Sequence, residues 1–158
     1  MFQETKSRRT ILKTALYLYT LWMLWLLFGR SSGLSSGNYR EQLQQHLLLT
    51  PFQTIRNFLS SLRFGSLTQK RQAIINLVGN VIMFVPFGYL LPGLFPKFRS
   101  FIRFFLICLV LICLVEFLQL VTLLGVMDVD DVILNMAGFS IGYIAYCLLP
   151  PFTTNKTA

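Results

Sequence analysis

Apolar residues run almost unbroken through four stretches, residues 11–29, 73–91, 104–124 and 132–149. Each is close to the roughly 20 residues of helix needed to cross a hydrocarbon core. The second and fourth carry no charge, the first has Lys13 near its start, and the third holds Glu116. The stem of Lys13 is long enough to return its ammonium to the interface. Lipid offers a bare backbone no hydrogen-bond partner, so each stretch is expected to be an α-helix. The pattern predicts an all-α integral membrane protein, one polytopic domain over residues 1–158 with four transmembrane helices.

The long segment between the first two helices, residues 30–72, opens with a Ser/Gly stretch and then shows two helix-start signatures. Asn38 with Glu41 and Thr50 with Gln53 resemble capping boxes, and Pro51 stands where a first helical residue tolerates proline. Beyond it Phe52, Ile55, Phe58, Leu59 and Leu62 recur at helical spacing, with Arg56 and Arg63 as the basic component and Gly65 as a stop. The spacing predicts short amphipathic helices in this loop. One of them either lies on the outer membrane surface or packs as a cap over the bundle's end.

Composition agrees with this reading. The chain is 54% hydrophobic and 13% charged, about half the roughly 25% charged residues of a soluble domain, which excludes a disordered chain and a soluble globule. Cys108, Cys113 and Cys147 all fall in apolar runs and read as free thiols acting as small apolar side chains. His46 has no partner at metal-ligand spacing and reads as a loop residue, so neither a metal nor a cofactor is expected. The first apolar stretch follows Lys6, Arg8, Arg9 and Lys13 as a signal peptide would. Its length and the lack of an A-x-A-like site at Leu27-Phe28-Gly29 favour a retained helix.

Basic residues near helix ends set orientation. With the N-terminus inside, the cytoplasmic face holds Lys6, Arg8, Arg9, Lys13, Lys97, Arg99, Arg103 and Lys156; the opposite face holds Arg30, Arg40, Arg56, Arg63, Lys70 and Arg71. The dense clusters before the first helix and in the second-to-third turn favour both termini in the cytoplasm and an extracytoplasmic long loop. The +8 net charge is thus divided between two membrane faces rather than gathered in one stripe, which argues against a nucleic-acid partner.

Polar side chains inside spanning helices are costly, so their clustering points to function. Asn76 and Asn80 lie near the start of the second helix, Glu116 and Gln119 near the end of the third, and Asp128-Val129-Asp130-Asp131 with Asn135 at the start of the fourth. Consecutive spanning helices alternate direction, so all three sets belong to one membrane face. At 1.5 Å rise per residue, Glu116 and Asn80 lie roughly 12 and 10 Å in from their helix ends. The expected object is a polar pocket open to one face, with Asn76, Asn80, Glu116, Gln119, Asp128, Asp131 and Asn135 as candidate binding residues. Structural uses exist for most of them. Asp128 or Asp130 would cap the fourth helix, the asparagines would serve as interhelical hydrogen bonds, and Gly138 with Gly142 as a GxxxG packing stripe. Pro86 with Gly88 would kink the second helix. Glu116 has no base at its depth, leaving it protonated, hydrogen-bonded to the asparagines, or paired with a loop base such as Arg56 or Arg63. Glu116 and Asp131, two titratable groups in one pocket, are the candidate catalytic acid and base if the protein is an enzyme, or alternatively would hold a cation.

At these residues the chain resembles the VanZ-like family of bacterial membrane proteins. The matching pieces are Thr50-Pro51-Phe52, the run from Asn76 to Pro92 with Asn80, Phe84 and Pro86-Phe87-Gly88, Glu116-Phe117-Leu118-Gln119, and Asp128-Val129-Asp130-Asp131 with Asn135, Gly138 and Gly142. The resemblance implies a multipass protein of the bacterial cytoplasmic membrane, in a family whose best-known members lower susceptibility to teicoplanin and related lipid-tailed glycopeptide antibiotics. It supplies no established catalytic residue. Many members have an arginine shortly before the aspartate motif; here Leu124-Gly125-Val126-Met127 stand in its place, so a role assigned to that arginine does not transfer.

Two readings follow. In the first, a non-enzymatic resistance factor uses its outward pocket and loop helix to engage a membrane lipid, a lipid-linked envelope precursor or the glycopeptide antibiotic. In the second, an intramembrane enzyme acts on a lipid-linked envelope precursor. The absence of a nucleophile–base pair, a phosphate-cradling glycine loop or a pocket histidine argues against the enzyme. Four short helices leave little room for a channel, and no Walker motif is present.

Overall fold

The computed structural model describes residues 2–29 and 38–150. The Ser/Gly opening of the long loop, Arg30 and Lys156 lie outside the described residues. In chain order the elements are α1 (Phe2–Phe28), α2 (Tyr39–Gln45), β1 (Leu47–Leu48), α3 (Gln53–Phe64), α4 (Leu67–Leu94), a 3-10 turn at Pro96–Phe98, α5 (Phe101–Thr122), β2 (Met127–Asp128) and α6 (Val129–Leu148). The chain is mostly helical, and among the described residues α1, α4, α5 and α6 are long and apolar enough to cross a membrane. It is a membrane protein.

The second span starts earlier than its apolar run. Ser66 caps α4 through a reciprocal box: the Ser66 N–H donates to Gln69 Oε1 at 2.8 Å, and the Gln69 N–H donates to Ser66 Oγ at 3.4 Å. Lys70, Arg71 and Gln72 therefore ride on the helix instead of preceding it. The two boxes expected at Asn38 and Thr50 do not form. Asn38 is the N-cap of α2 without a side-chain cap bond, and α3 begins after Phe52, so Pro51 sits in the preceding turn. α4 runs through Pro86 and Pro92 as one continuous helix.

α4 and α6 form the closest pair in the bundle. A Cβ on Gly138 would strike the Val81 carbonyl, and one on Gly142 the Val85 carbonyl, while Gly88 faces Phe139 and Gly142 across the same seam. The glycine stripe thus lets two backbones approach as only small residues allow. Behind the seam, buried Phe84, Phe104, Cys108, Ile112, Phe139 and Tyr143 make the core, with ring centroids 4.9 Å apart for Phe84–Phe139 and 5.0 Å for Phe104–Tyr143. α1 is more peripheral. Tyr19 Oη donates to the Met83 carbonyl at 2.9 Å and Gln119 Nε2 to the Leu27 carbonyl at 3.0 Å. The outward faces carry Trp22, Trp25, Ile82, Val110 and Ile144, all exposed, as lipid-facing surface should. The three cysteines are free, Cys108 in the core and the other two exposed.

One feature departs from an all-α chain. The loop folds back over the bundle and pairs with the α5–α6 turn, Leu47 opposite Met127 and Leu48 opposite Asp128, in a short parallel ladder. The Met127 N–H also donates to the His46 carbonyl at 2.8 Å, and Tyr39 Oη donates to the Val121 carbonyl at 2.8 Å. His46 is thus a loop residue whose Nδ1 meets the Gln42 carbonyl at 2.8 Å.

Candidate functional site

At the end of the bundle covered by this loop lies a cleft of about 310 Å³. Asn76 and Asn80 of α4, Asp128 and Asp131 at the start of α6, Thr54 and Phe58 of α3, and Leu48 and Val126 of the paired loops line it. Asn76 and Asn80 are four residues apart on one face of α4. Asp131 is turned toward them: Asn80 Nδ2 donates to Asp131 Oδ1 at 2.5 Å. Asn76 Oδ1 accepts from Gln72 Nε2 at 3.3 Å. Among the described residues, neither lysine nor arginine lines the cleft.

Three of the candidate residues do not line the cleft. Glu116 is buried, 3% exposed, and its Oε2 accepts from the Asp128 backbone N–H at 3.2 Å. Among the described residues neither an asparagine nor a loop arginine partners it; the Arg63 guanidinium lies over the Phe64 ring at 5.1 Å. Glu116 thus fixes the backbone just ahead of α6, whose free N–H groups need acceptors. Gln119 turns to the end of α1. Asn135 is 3% exposed on the α6 face that meets α4, and its Oδ1 has no partner among the described residues.

The aspartate motif divides its work. Asp128 is the N-cap of α6, with Oδ1 accepting from the Asp130 N–H at 2.9 Å. Asp130 is fully buried and reaches a different helix: its Oδ1 accepts from the Phe52 N–H at 2.5 Å and its Oδ2 from the Ile55 N–H at 3.0 Å. It therefore supplies, from 75 residues or more along the chain, the cap that α3 lacks locally. Phe52 there takes φ 63°, a left-handed conformation costing an ordinary residue roughly 1–2 kcal/mol, which the pair of charge-assisted bonds offsets. The sequence pattern points to capping of α6 by Asp128 or Asp130, and the structure gives that role to Asp128 and turns Asp130 to α3. The sequence signal for the other role is the Thr50-Pro51-Phe52 turn, which has no acidic residue near it to take its free N–H groups.

α3 leans on the bundle through half-buried Thr54, Ile55, Phe58 and Leu62, and leaves Phe52, Leu59 and Phe64 exposed beside Arg56 and Arg63. A second cleft, about 230 Å³, lies between α1, α4, α5 and α6. Its lining, including Met23, Phe84, Ile112 and Phe139, is almost wholly apolar. Among the described residues no group of three or more His, Cys, Asp or Glu is placed to hold a metal ion.

Residues 15–150 match the family model described as VanZ/LLP1. The chain is also similar to a protein of Enterococcus faecium named Protein VanZ, 35% identical over 134 residues, 85% of this chain and 71% of that protein. No solved structure matches.

Proposed function

Since the chain belongs to the VanZ/LLP1 family, we propose that it lowers susceptibility to teicoplanin and related lipid-tailed glycopeptides. It does so without catalysis, by engaging an amphiphilic ligand in the cleft between α3, α4 and α6. Both termini lie in the cytoplasm, the cleft opens on the outer face of the bacterial cytoplasmic membrane, and the whole chain forms one VanZ-like domain. The ligand is the antibiotic or a lipid-bearing component of the envelope. The observation that carries this reading is the convergence of Asn76, Asn80, Asp128 and Asp131 on one cleft roofed by a loop helix.

α3 supports the same reading. Its exposed Phe52, Leu59 and Phe64 with Arg56 and Arg63 suit the headgroup boundary, where apolar burial adds to attraction for anionic lipid. An enzymatic reading with Glu116 and Asp131 as acid and base has less support, because Glu116 engages a backbone N–H and is not among the lining residues.

Cell-bound fluorescent teicoplanin tests the proposal. Cells making the protein should bind less drug than cells without it. Filling the cleft with Asn80→Leu and Asp131→Leu together should restore binding at equal protein level in the membrane, while Glu116→Gln should not. Equal drug binding with and without the protein would remove the reading.

A further inference from the structure

The second cleft, the apolar slot of about 230 Å³, lies between α1 and α5 with α4 and α6 behind it. Phe84, Cys108 and Ile112 are its buried floor, and Leu114 and Leu118 of α5 are its exposed lip. Thr20 brings the one hydroxyl among the lining side chains, and its Oγ1 donates to the Leu16 carbonyl at 2.7 Å, so the slot presents no free hydroxyl. On α5 the lining reaches from Cys108 to Leu118, roughly 15 Å along a helix. That is about half of a hydrocarbon core roughly 30 Å thick, the depth of one lipid leaflet. A neighbouring helix of that length, about 10 Å across, would need roughly five times the volume of the slot. A single alkyl chain is thin enough to enter.

Charge supplies a second, independent observation at one end of the slot. Phe98, a lining residue, belongs to the turn between α4 and α5, at the end of the bundle away from the loop. Lys97 Nζ lies over the Phe98 ring at 5.1 Å, and Nζ of Lys13 from α1 lies over the Phe95 ring at 5.6 Å. The Phe95 and Phe98 rings are themselves neighbours, with centroids 6.3 Å apart. Lys13 stands two turns before the lining residue Thr20, on the same face of α1. The slot is therefore bordered at this end by one ammonium from α1 and one from the α4–α5 turn. Neither has an ion pair among the described residues. Glu41, Glu116, Asp128, Asp130 and Asp131, five of the chain's six acids, belong to the other end of the bundle, while exposed Arg99 and Arg103 add to the positive charge at this one.

We propose that the slot and its ammonium pair are a binding site for one anionic phospholipid of the leaflet at this end of the bundle, with an acyl chain in the slot and the phosphate between Lys13 and Lys97. An ammonium is a compact charge with three donors and no acceptor, the complement of a phosphate oxygen. Its contact with a ring face holds the stem in place and leaves N–H groups turned outward for the headgroup. A zwitterionic lipid brings a cation of its own beside the phosphate and meets the same bases less favourably, so the site selects net negative charge. A lipid held here spans the gap between α1 and α5 and fastens α1, the most peripheral span, to the bundle. The site is separate from the polar cleft between α3, α4 and α6, and does not depend on what that cleft binds.

The test uses the full chain purified in dodecyl maltoside micelles and titrated with dioleoylphosphatidylglycerol or dioleoylphosphatidylcholine, which carry the same chains, with retained lipid counted by native mass spectrometry. Phosphatidylglycerol should be retained as one molecule per chain, at least about fivefold more strongly than the choline lipid, the worth of one base at a lipid surface. Lys13→Gln with Lys97→Gln should bring the two lipids to equal, weak retention. Arg40→Gln with Arg71→Gln removes as much charge from the exposed surface of the other end and should keep the preference. Leu114→Trp fills the mouth of the slot and should lose both lipids, whereas Val110→Trp, on exposed α5 surface outside the lining, should lose neither. Equal retention of the two lipids by the wild-type chain overturns the proposal, as does a preference that falls equally whichever end loses its charge. Dimers in place of bound lipid, abolished by Leu114→Trp, would give the slot to a second copy of the chain and overturn it too. The wild-type comparison stands even if a variant fails to fold.

Discussion

Glu116, Asp128 and Asp130 each hold backbone donors at a helix start, and a carboxylate in that role is replaceable only by a group that still accepts. Glu116→Leu strands the Asp128 N–H in a buried place and should cost about 1–3 kcal/mol, whereas Glu116→Gln retains a carbonyl and should cost under about 1 kcal/mol. Denaturation of the purified protein in micelles decides; a Gln variant as unstable as the Leu variant would show that the charge itself is required. Asp130→Ala removes both acceptors from the start of α3. It should speed amide exchange over residues 52–64 while leaving α4 and α6 protected, and exchange rates unchanged in α3 would contradict its role as a distant cap. That role was hidden in the sequence because the partners stand 78 and 75 residues apart, and no local pattern joins an aspartate to a turn at that distance. Glu116 and Gln119 were readable as a buried polar pair near one membrane face. Which neighbour each turns to depends on the rotation of α5 about its axis, which spacing within one helix does not fix.

At the scale of elements, the bundle depends on the α4–α6 seam. Gly142→Leu drives a side chain into the Val85 carbonyl and should destabilise by about 2 kcal/mol or more. Gly79→Leu, on the same α4 but with nothing within 4 Å of its added Cβ, should fold normally. Thermal unfolding of the two variants side by side checks this, and equal tolerance would mean the helices are not in such close approach. The seam was legible: Gly138 and Gly142 at a spacing of four in an apolar run can hardly mean anything else. The four spans were legible because an apolar run of about 20 residues in lipid satisfies its own backbone as a helix. Their ends were less so. α4 begins at Leu67 and not near Ala73 because the Ser66–Gln69 box stabilises a polar extension that hydropathy does not register. The two-residue ladder between β1 and β2 could not be read, being made of four residues brought together only once the loop has folded back.

For the molecule as a whole, the distribution of bases and the side on which the cleft opens are one question. In a variant lacking the native cysteines, Ser60→Cys on exposed α3 should react in intact cells with a membrane-impermeant maleimide. Ser7→Cys should react only after permeabilisation. The opposite pattern would place the cleft in the cytoplasm, out of reach of an external antibiotic. The account as a whole rests on the polar cleft being what protects the cell. It is tested most directly by the inhibitory concentrations of teicoplanin and vancomycin for a susceptible host making either the intact chain or the Asn80→Leu, Asp131→Leu variant at matched membrane levels. The intact chain should raise the teicoplanin value and leave that of vancomycin, which lacks a lipid tail, nearly unchanged, and the variant should do neither. A variant with its cleft filled that protects as well as the intact chain would contradict the account.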